Sequence, residues 1–217
     1  LETLLLKEGT LSPQEQRTYL EIATKHSEQL GKLVAELFEL AKLDSHEMEP
    51  HVELFSLSEL VQDVVQQLRL AAEQKRIGLH ADFQEELPFV SADIGLIERV
   101  LKNLIENALR YTPQGGTVTV ALTQSSQTIM VQVTDTGCGI SPDDLPHIFD
   151  RFFRVGANDQ EHSTGAGLGL AITKRILELH GSTIEARSIL NSGTTFTFHL
   201  PAAHPSIEPT GSSSTGY

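Results

Sequence analysis

The stretch VTDTGCGISPDD, Val133–Asp144, places Asp135 two residues before Gly137 and four before Gly139. Val131 and Val133 lead into it, so an apolar strand delivers a carboxylate to the mouth of a turn whose glycines permit positive φ. Alone, the motif is also satisfied by a strand ending in a tight turn with the aspartate bonded to its own backbone, and short glycine motifs recur by chance. A second group lies in ERVLKNLIENALRYTP, Glu98–Pro113, where Asn103 and Asn107 stand four residues apart on one helical face. They are either two solvated amides or paired amide oxygens presented to a hard cation such as Mg²⁺. Just beyond them, Arg110 offers a charge for phosphate and Tyr111 a ring for a base.

Two more candidates follow along the chain. HIFDRFFRV, His147–Val155, groups Phe149, Phe152 and Phe153 with Arg151 and Arg154. The rings suit a core plug, whereas an arginine there could reach a phosphate. STGAGLGLAITKRI, Ser163–Ile176, sets Gly165, Gly167 and Gly169 before a helix, whose first N–H groups can cradle an anion. No Gly-Lys-Ser/Thr follows, so it is not a Walker A loop, and its spacing fails the dinucleotide fingerprint. The polar stretch Gly156–Thr164 between these two groups reads as a flap.

The elements that must position these residues follow from periodicity. Ser12-Pro13-Gln14-Glu15 is a capping box with proline at the first helical position. The helix it starts carries Leu30, Leu33, Leu37 and Leu40 as an apolar stripe widened by Val34 and Ala41, with Glu28, Lys32, Glu36 and Lys42 facing outward. Leu1–Lys7 reads as the end of a preceding antiparallel helix, with Glu8–Leu11 as the turn. Two such hairpins would form a four-helix bundle, hence a homodimer. Asp44–Phe55 loses the periodicity and reads as a linker, leaving residues 1–48 as the helical part, 49–55 as the linker and 56–201 as an α/β domain. Within that domain helices are expected over Leu57–Lys75, Asp93–Tyr111 and from the glycine cluster to about His180. Strands are expected over Ile77–Phe83, Thr117–Leu122, Ile129–Thr134, Ser182–Ile189 and Thr194–Leu200. The pattern predicts a two-layer α/β sandwich, helices on one face of a mostly antiparallel sheet. Residues 202–217, rich in Pro, Ser, Gly and Thr, read as a disordered tail.

Composition narrows the function classes. The 217 residues carry 29 acids against 16 bases, a net charge of −13, which argues against a nucleic-acid partner. The one cysteine, Cys138, excludes an internal disulfide framework and a cysteine-rich zinc site, and suits a reducing cytosol. No apolar run reaches membrane-spanning length. The chain opens on Leu1 rather than methionine, so the expectation is the cytoplasmic portion of a longer, membrane-bound sensor, touching the membrane only through a parent segment.

Taken together, the asparagine helix, Asp-x-Gly-x-Gly, the phenylalanine pair and Gly-x-Gly-x-Gly resemble, in this order, the catalytic ATP-binding domain of sensor histidine kinases. The resemblance covers about Phe55–Pro201, and the preceding helices resemble the family's dimerization and phosphotransfer domain. It implies a Bergerat (GHKL) fold with ATP under a flexible lid, Mg²⁺ as cofactor, and a response-regulator receiver domain as partner. By the same resemblance Asp135 accepts a hydrogen bond from the adenine amino group, Gly137 and Gly139 line its pocket, and Thr194 shares a water with Asp135. Asn107 ligates Mg²⁺ with Asn103 close by. Tyr111 packs near the base, Arg110 near the phosphates and Arg154 near the γ-phosphate, and Gly165, Gly167 and Gly169 form the lid hinge and triphosphate cradle. Asn103 and Arg154 are the implied catalytic pair.

One departure bears on mechanism. The family's Ser-His-Glu-Leu-Arg-Thr-Pro-like acceptor box does not occur here, and His26 in TKHSEQL lacks the pattern and sits on the second helix. His26 therefore reads as a surface or packing residue, and the phosphoacceptor is expected upstream of Leu1. Three alternatives compete: an ATPase of the gyrase, MutL or heat-shock chaperone type, an anti-sigma-like serine kinase, and a non-catalytic nucleotide-sensing dimerization module. The ATPases carry a glutamate one turn before the metal asparagine. Here that position is Asn103, an amide that cannot act as a general base.

Overall fold

The computed structural model describes residues 12–45, 48–83, 86–155 and 166–203. The first helix expected over Leu1–Lys7, the flap with Gly165, and residues 204–217 of the tail lie outside them. The elements run α1 Pro13–Asp44, β1 Glu53–Phe55, α2 Leu57–Gln74, β2 Gly78–Phe83, β3 Phe89–Ala92 and α3 Ile94–Tyr111. They continue with β4 Thr117–Ser125, β5 Thr128–Asp135, a 3-10 turn at Leu145–His147, α4 Gly169–Leu179, β6 Ile184–Ile189 and β7 Gly193–Ala203. Helix α1 begins where the capping box predicts. Ser12 Oγ accepts from the Glu15 N–H at 3.3 Å, and Glu15 Oε2 accepts from the Ser12 N–H at 2.8 Å.

The strands form one sheet in the order β1-β3-β7-β5-β4-β2, with β6 also on β7. Only β2–β4 is parallel; the other pairings are antiparallel. Alternation puts Val118, Val120, Leu122, Ile129, Val131, Val133, Phe196, Phe198 and Leu200 on the buried face, and threonines such as Thr119, Thr134, Thr195 and Thr197 on the other. Helices α2, α3 and α4 cover the buried face with Val61, Val64, Ile97, Leu101, Leu104, Ile172 and Ile176. This is the expected two-layer sandwich.

Short strands depart from the expectation. β1 lies inside the segment read as a linker, and β3 carried no sequence signal. Both are too short to show a period, and they exist because each finds a partner: Phe55 opposite Val90, and Phe89 opposite Ala203. The second pairing carries β7 past Leu200 to Ala203, into the segment read as tail.

The apolar stripe of α1 is divided between two uses. Leu40 and Leu43 are 2% and 1% exposed and join the core of the α/β domain. Glu39 receives two bonds from Arg99, at 3.1 and 2.9 Å. Asp44 meets Arg151 at 2.6 Å and Arg175 at 3.3 Å, and Arg175 also donates to the Leu43 carbonyl at 3.2 Å. Each buried leucine contributes about 1.5–3 kcal/mol, and each half-exposed ion pair about 1 kcal/mol or less. Burial therefore holds the end of α1, while the ion pairs set its direction. Leu30, Val34, Leu37 and Phe38 remain exposed.

Candidate functional site

Helix α3 is the rigid support of the site. Its N-cap, Asp93, accepts from the Leu96 N–H through Oδ1 at 3.1 Å and from the His51 N–H through Oδ2 at 2.9 Å. The Asp93 N–H donates to His180 Nε2 at 3.0 Å, tying the start of α3 to the end of α4. Ile97, Val100, Leu101, Leu104, Ile105 and Ala108 are buried, which fixes the rotation of the helix and so the direction of both asparagines. Asn107 is half-buried and faces a cleft together with Glu106, Arg110 and Tyr111.

Asn103 is not a solvated amide. It is 8% exposed, and its Nδ2 donates to the Gly169 carbonyl at 3.1 Å and to Thr173 Oγ1 at 3.4 Å. Its nitrogen is committed to α4, and only its edge reaches the cleft. One turn before Asn107 there is thus a structural amide and no carboxylate base. Besides Asp135, the carboxylates on the cleft wall are Glu106 and, from α1, Glu28 and Glu36.

At the opposite end, β5 terminates in Asp135, whose register partner on β7 is Thr194. Asp135 Oδ1 accepts from the Gly137 N–H at 2.8 Å and from the Thr194 N–H at 3.3 Å. The side chain therefore does bond its own turn, as the simpler sequence reading expects, but with one oxygen only. Among the described residues no buried side-chain N or O lacks a partner. Oδ2, which has none, accordingly opens on the cleft. Burial pushes the carboxyl above its ordinary value, and the Gly137 and Thr194 N–H groups pull it partly back. A β-carbon on residue 137 would lie 2.6 Å from the Tyr111 carbonyl oxygen, so glycine lets the turn close against the end of α3. Gly137 sits behind the cleft wall, whereas Gly139 lines it.

Ser188 escaped the sequence reading. Its Oγ accepts from the Ile140 N–H at 2.8 Å, donates to the Gly193 carbonyl at 3.0 Å and meets Thr194 Oγ1 at 2.9 Å. It thereby joins the glycine turn after β5 to the β6–β7 hairpin. A single serine in a strand carries no signal of that role.

At the far end of the cleft, α4 begins at Gly169 without a side-chain cap, so its first N–H groups are open to a ligand. Gly167 has φ +72, and a β-carbon there would fall 2.8 Å from Phe153 O. The Phe152 N–H donates to the Gly167 carbonyl at 2.9 Å, which pins the arginine-phenylalanine segment beside the start of α4. Arg154 lines the same space, while Phe149 packs edge-on to Phe196 as part of the core.

The cleft measures about 710 Å³ and gathers Asn103, Asn107, Arg110, Tyr111, Asp135, Gly139, Arg154, Gly167, Gly169 and Thr194. Ile140, Ile148, Phe153 and Phe196 supply apolar lining, with Phe196 two residues along β7 from Thr194, the partner of Asp135. Its remaining wall is α1, through Lys25, Glu28, Gln29, Lys32, Leu33 and Glu36. The charged residues expected to face open solvent, Glu28, Lys32 and Glu36, therefore face the cleft mouth, because the docking of Leu40 and Leu43 sets the rotation of α1. A single acceptor in an apolar recess, joined to a polar end with amide oxygen, arginines and open N–H groups, suits a flat base carrying a phosphate chain. Among the described residues no cluster of three His, Cys, Asp or Glu side chains forms a self-sufficient metal cage.

Residues 92–204 match the family model described as histidine kinase-, DNA gyrase B-, and HSP90-like ATPase. The sensor histidine kinase RppB of Synechocystis sp. is 33% identical over 201 residues, covering 93% of this chain and 44% of that protein. The sensor histidine kinase WalK of Bacillus subtilis is 34% identical over 189 residues, 84% of this chain and 30% of its own length. The chain thus spans less than half the length of these curated relatives. Among solved structures, full-length ShkA in complex with AMPPNP superposes with TM-score 0.76 at 27% identity, over 93% of this chain and 42% of that one. The histidine kinase ThkA in complex with the response regulator protein TrrA gives TM-score 0.74 at 25% identity, over 93% and 55%.

Proposed function

The chain belongs to the histidine kinase-, DNA gyrase B-, and HSP90-like ATPases, and within them to the sensor histidine kinases, and on that premise we propose that its cleft binds Mg-ATP for transfer of the γ-phosphoryl group to a histidine. The observation that carries this reading is the division of labour at Asp135. One carboxylate oxygen is held by two backbone N–H groups, and the other is aimed into an apolar recess where an adenine amino group would donate to it. Gly139, Tyr111 and Thr194 surround the base, and Arg110, Arg154, Gly167 and Gly169 surround the phosphates. Gly165 belongs to the same expectation but lies outside the described residues.

Mg²⁺ fits the donor set. It favours oxygen ligands and is usually held by few protein groups together with substrate phosphates and waters. Asn107 Oδ1 is the ligand we assign, at the phosphate end of the cleft; when bound, the ion neutralises charge on the phosphates. Asn103 braces the wall rather than reacting. Arg154 is the cation we place at the γ-phosphate. The structure of ThkA with its response regulator supports a receiver domain as the onward partner. No described helix is long and apolar enough to cross a membrane, and attachment to a membrane-bound sensor belongs to the proposal.

The test is nucleotide choice. By calorimetric titration ATP should bind at least about tenfold more tightly than GTP, whose O6 acceptor would face Asp135 Oδ2. Equal affinities would remove adenine from the assignment. With labelled ATP, the chain alone should gain essentially no acid-labile phosphate, since His26 lies exposed on α1 outside any acceptor box. Strong label that disappears in His26→Gln would move the phosphoacceptor to His26.

Homodimerization is the remaining part of the reading. Leu30, Val34 and Leu37 are 61%, 42% and 46% exposed and follow four- and three-residue steps along one face of α1, the spacing of a helical bundle seam. Leu37→Glu would bury an unpaired charge in that seam, and sedimentation should then show a monomer. A wild-type chain that is already monomeric at high concentration would remove the seam.

A further inference from the structure

Thr173 lies on α4, is fully buried at 0% exposure, and does not line the cleft. Its hydroxyl donates to the Gly169 carbonyl at 2.9 Å and accepts from Asn103 Nδ2 at 3.4 Å. Asn103 Nδ2 also donates to the Gly169 carbonyl at 3.1 Å. Three groups thus close a triangle between the middle of α3 and the first turn of α4, with Thr173 buried behind the cleft wall that Asn103 and Gly169 form, where such bonds reinforce one another. A valine of the same outline would fill the space equally well, so the hydroxyl is there for these bonds.

The Gly169 carbonyl and the Leu170 N–H belong to one peptide unit. As the second residue of α4, Leu170 has an N–H without an intrahelical acceptor, and Leu170 lines the cleft. Two side-chain donors on that carbonyl polarise the peptide and make its N–H more positive. They also tie the turn that presents it to the helix that presents Asn107, one turn from Asn103.

We propose that Thr173 is a positioning residue for the phosphate chain, acting through Asn103 and Gly169 to hold and polarise the first turn of α4. This rests on the nucleotide reading above. It separates two ligand parts: the phosphates depend on the triangle, and the base, held at Asp135, does not.

The experiment compares Mg-ATP, Mg-ADP and adenosine by calorimetric titration on the full chain and on Thr173→Val and Thr173→Ser. Thr173→Val should weaken ATP and ADP by about three- to tenfold and adenosine by less than about twofold, as the loss of the hydroxyl's two hydrogen bonds allows. Thr173→Ser, which keeps the hydroxyl, should bind all three ligands within about twofold of the wild type. If the valine variant does not fold, Thr173→Ala should give the same division between phosphates and base. Undiminished ATP binding in a folded variant without the hydroxyl, equal losses for adenosine and ATP, or a serine variant as weak as valine would each overturn the proposal. A wild type that binds no adenine nucleotide overturns the nucleotide reading as well, so the two failures are told apart.

Discussion

Asp135→Asn should weaken ATP binding by about 2–3 kcal/mol, some 30- to 150-fold, without destabilising the fold. The asparagine carbonyl can still accept from the Gly137 and Thr194 N–H groups, so the turn keeps its bonds. Its NH₂ then replaces the oxygen that opens on the cleft, and a donor meets the adenine donor. The stability forecast follows from the raised pKa. Burial lifts the folded-state carboxyl above the unfolded value of 3.8, against the smaller opposing effect of the two N–H bonds. Folding therefore favours the neutral acid, a contribution complete below the unfolded pKa and lost as pH rises through the folded one. At neutral pH the wild type carries the cost of a buried charge, and the asparagine variant does not. Its melting temperature should equal or exceed that of the wild type at pH 7.

Binding has the opposite pH dependence. Adenine needs the ionised acceptor, so wild-type affinity should rise as the pH climbs above the ordinary carboxylate range and Asp135, its carboxyl raised by burial, loses its proton, then level off. Titrations of the asparagine variant over the same range report the ligand's own protonation and nothing from residue 135. A variant that binds ATP as the wild type does, or one with the same pH profile, would remove Asp135 from base recognition.

Asn107→Ala should remove the Mg²⁺-dependent part of ATP affinity. ATP binding with excess Mg²⁺ should fall at least about tenfold, while binding in chelator and binding of adenosine stay near wild type. The division is expected because Asn107 is assigned to the ion on the phosphates and Asp135 to the base, and Asn107 stands one turn of α3 beyond Asn103, which bonds the start of α4. The side chain is only half-buried, so its truncation leaves no large cavity and the fold should survive. Asn107→Asp offers a harder ligand but adds a negative charge beside the phosphates, and should bind free ATP less well than the alanine variant does. An alanine variant with an unchanged Mg²⁺ response would place the metal elsewhere.

Much of this molecule was legible in the chain. Long periodic segments announced α1 to α4, β4, β5 and β7, because alternation and 3.6-residue repeats are local properties that burial on one face enforces. Asp135, Asn107, Gly167 and Gly169 were singled out in the chain by the order of their motifs and the resemblance that order carries, since each motif alone admitted a purely structural reading, and the fold sets all four on one cleft. β1 and β3 were not, because three- and four-residue strands have no period and exist only through their pairing with each other and with β7.

What the tertiary structure alone decided is how the surroundings use those residues. Asn103 matches Asn107 in type and spacing, yet Gly169 and Thr173, 66 and 70 residues away, take its amide nitrogen and bury it. Ser188 gained its place because the β6–β7 hairpin folds beside the turn after β5. The charged face of α1 became a wall of the cleft because Leu40 and Leu43 sank into the domain core and fixed the helix's rotation. Local sequence carries the chemistry of a side chain and the period of its element. Which hydrogen bonds that chemistry is committed to, and which remain open to a ligand, depends on neighbours that meet only once distant segments have packed.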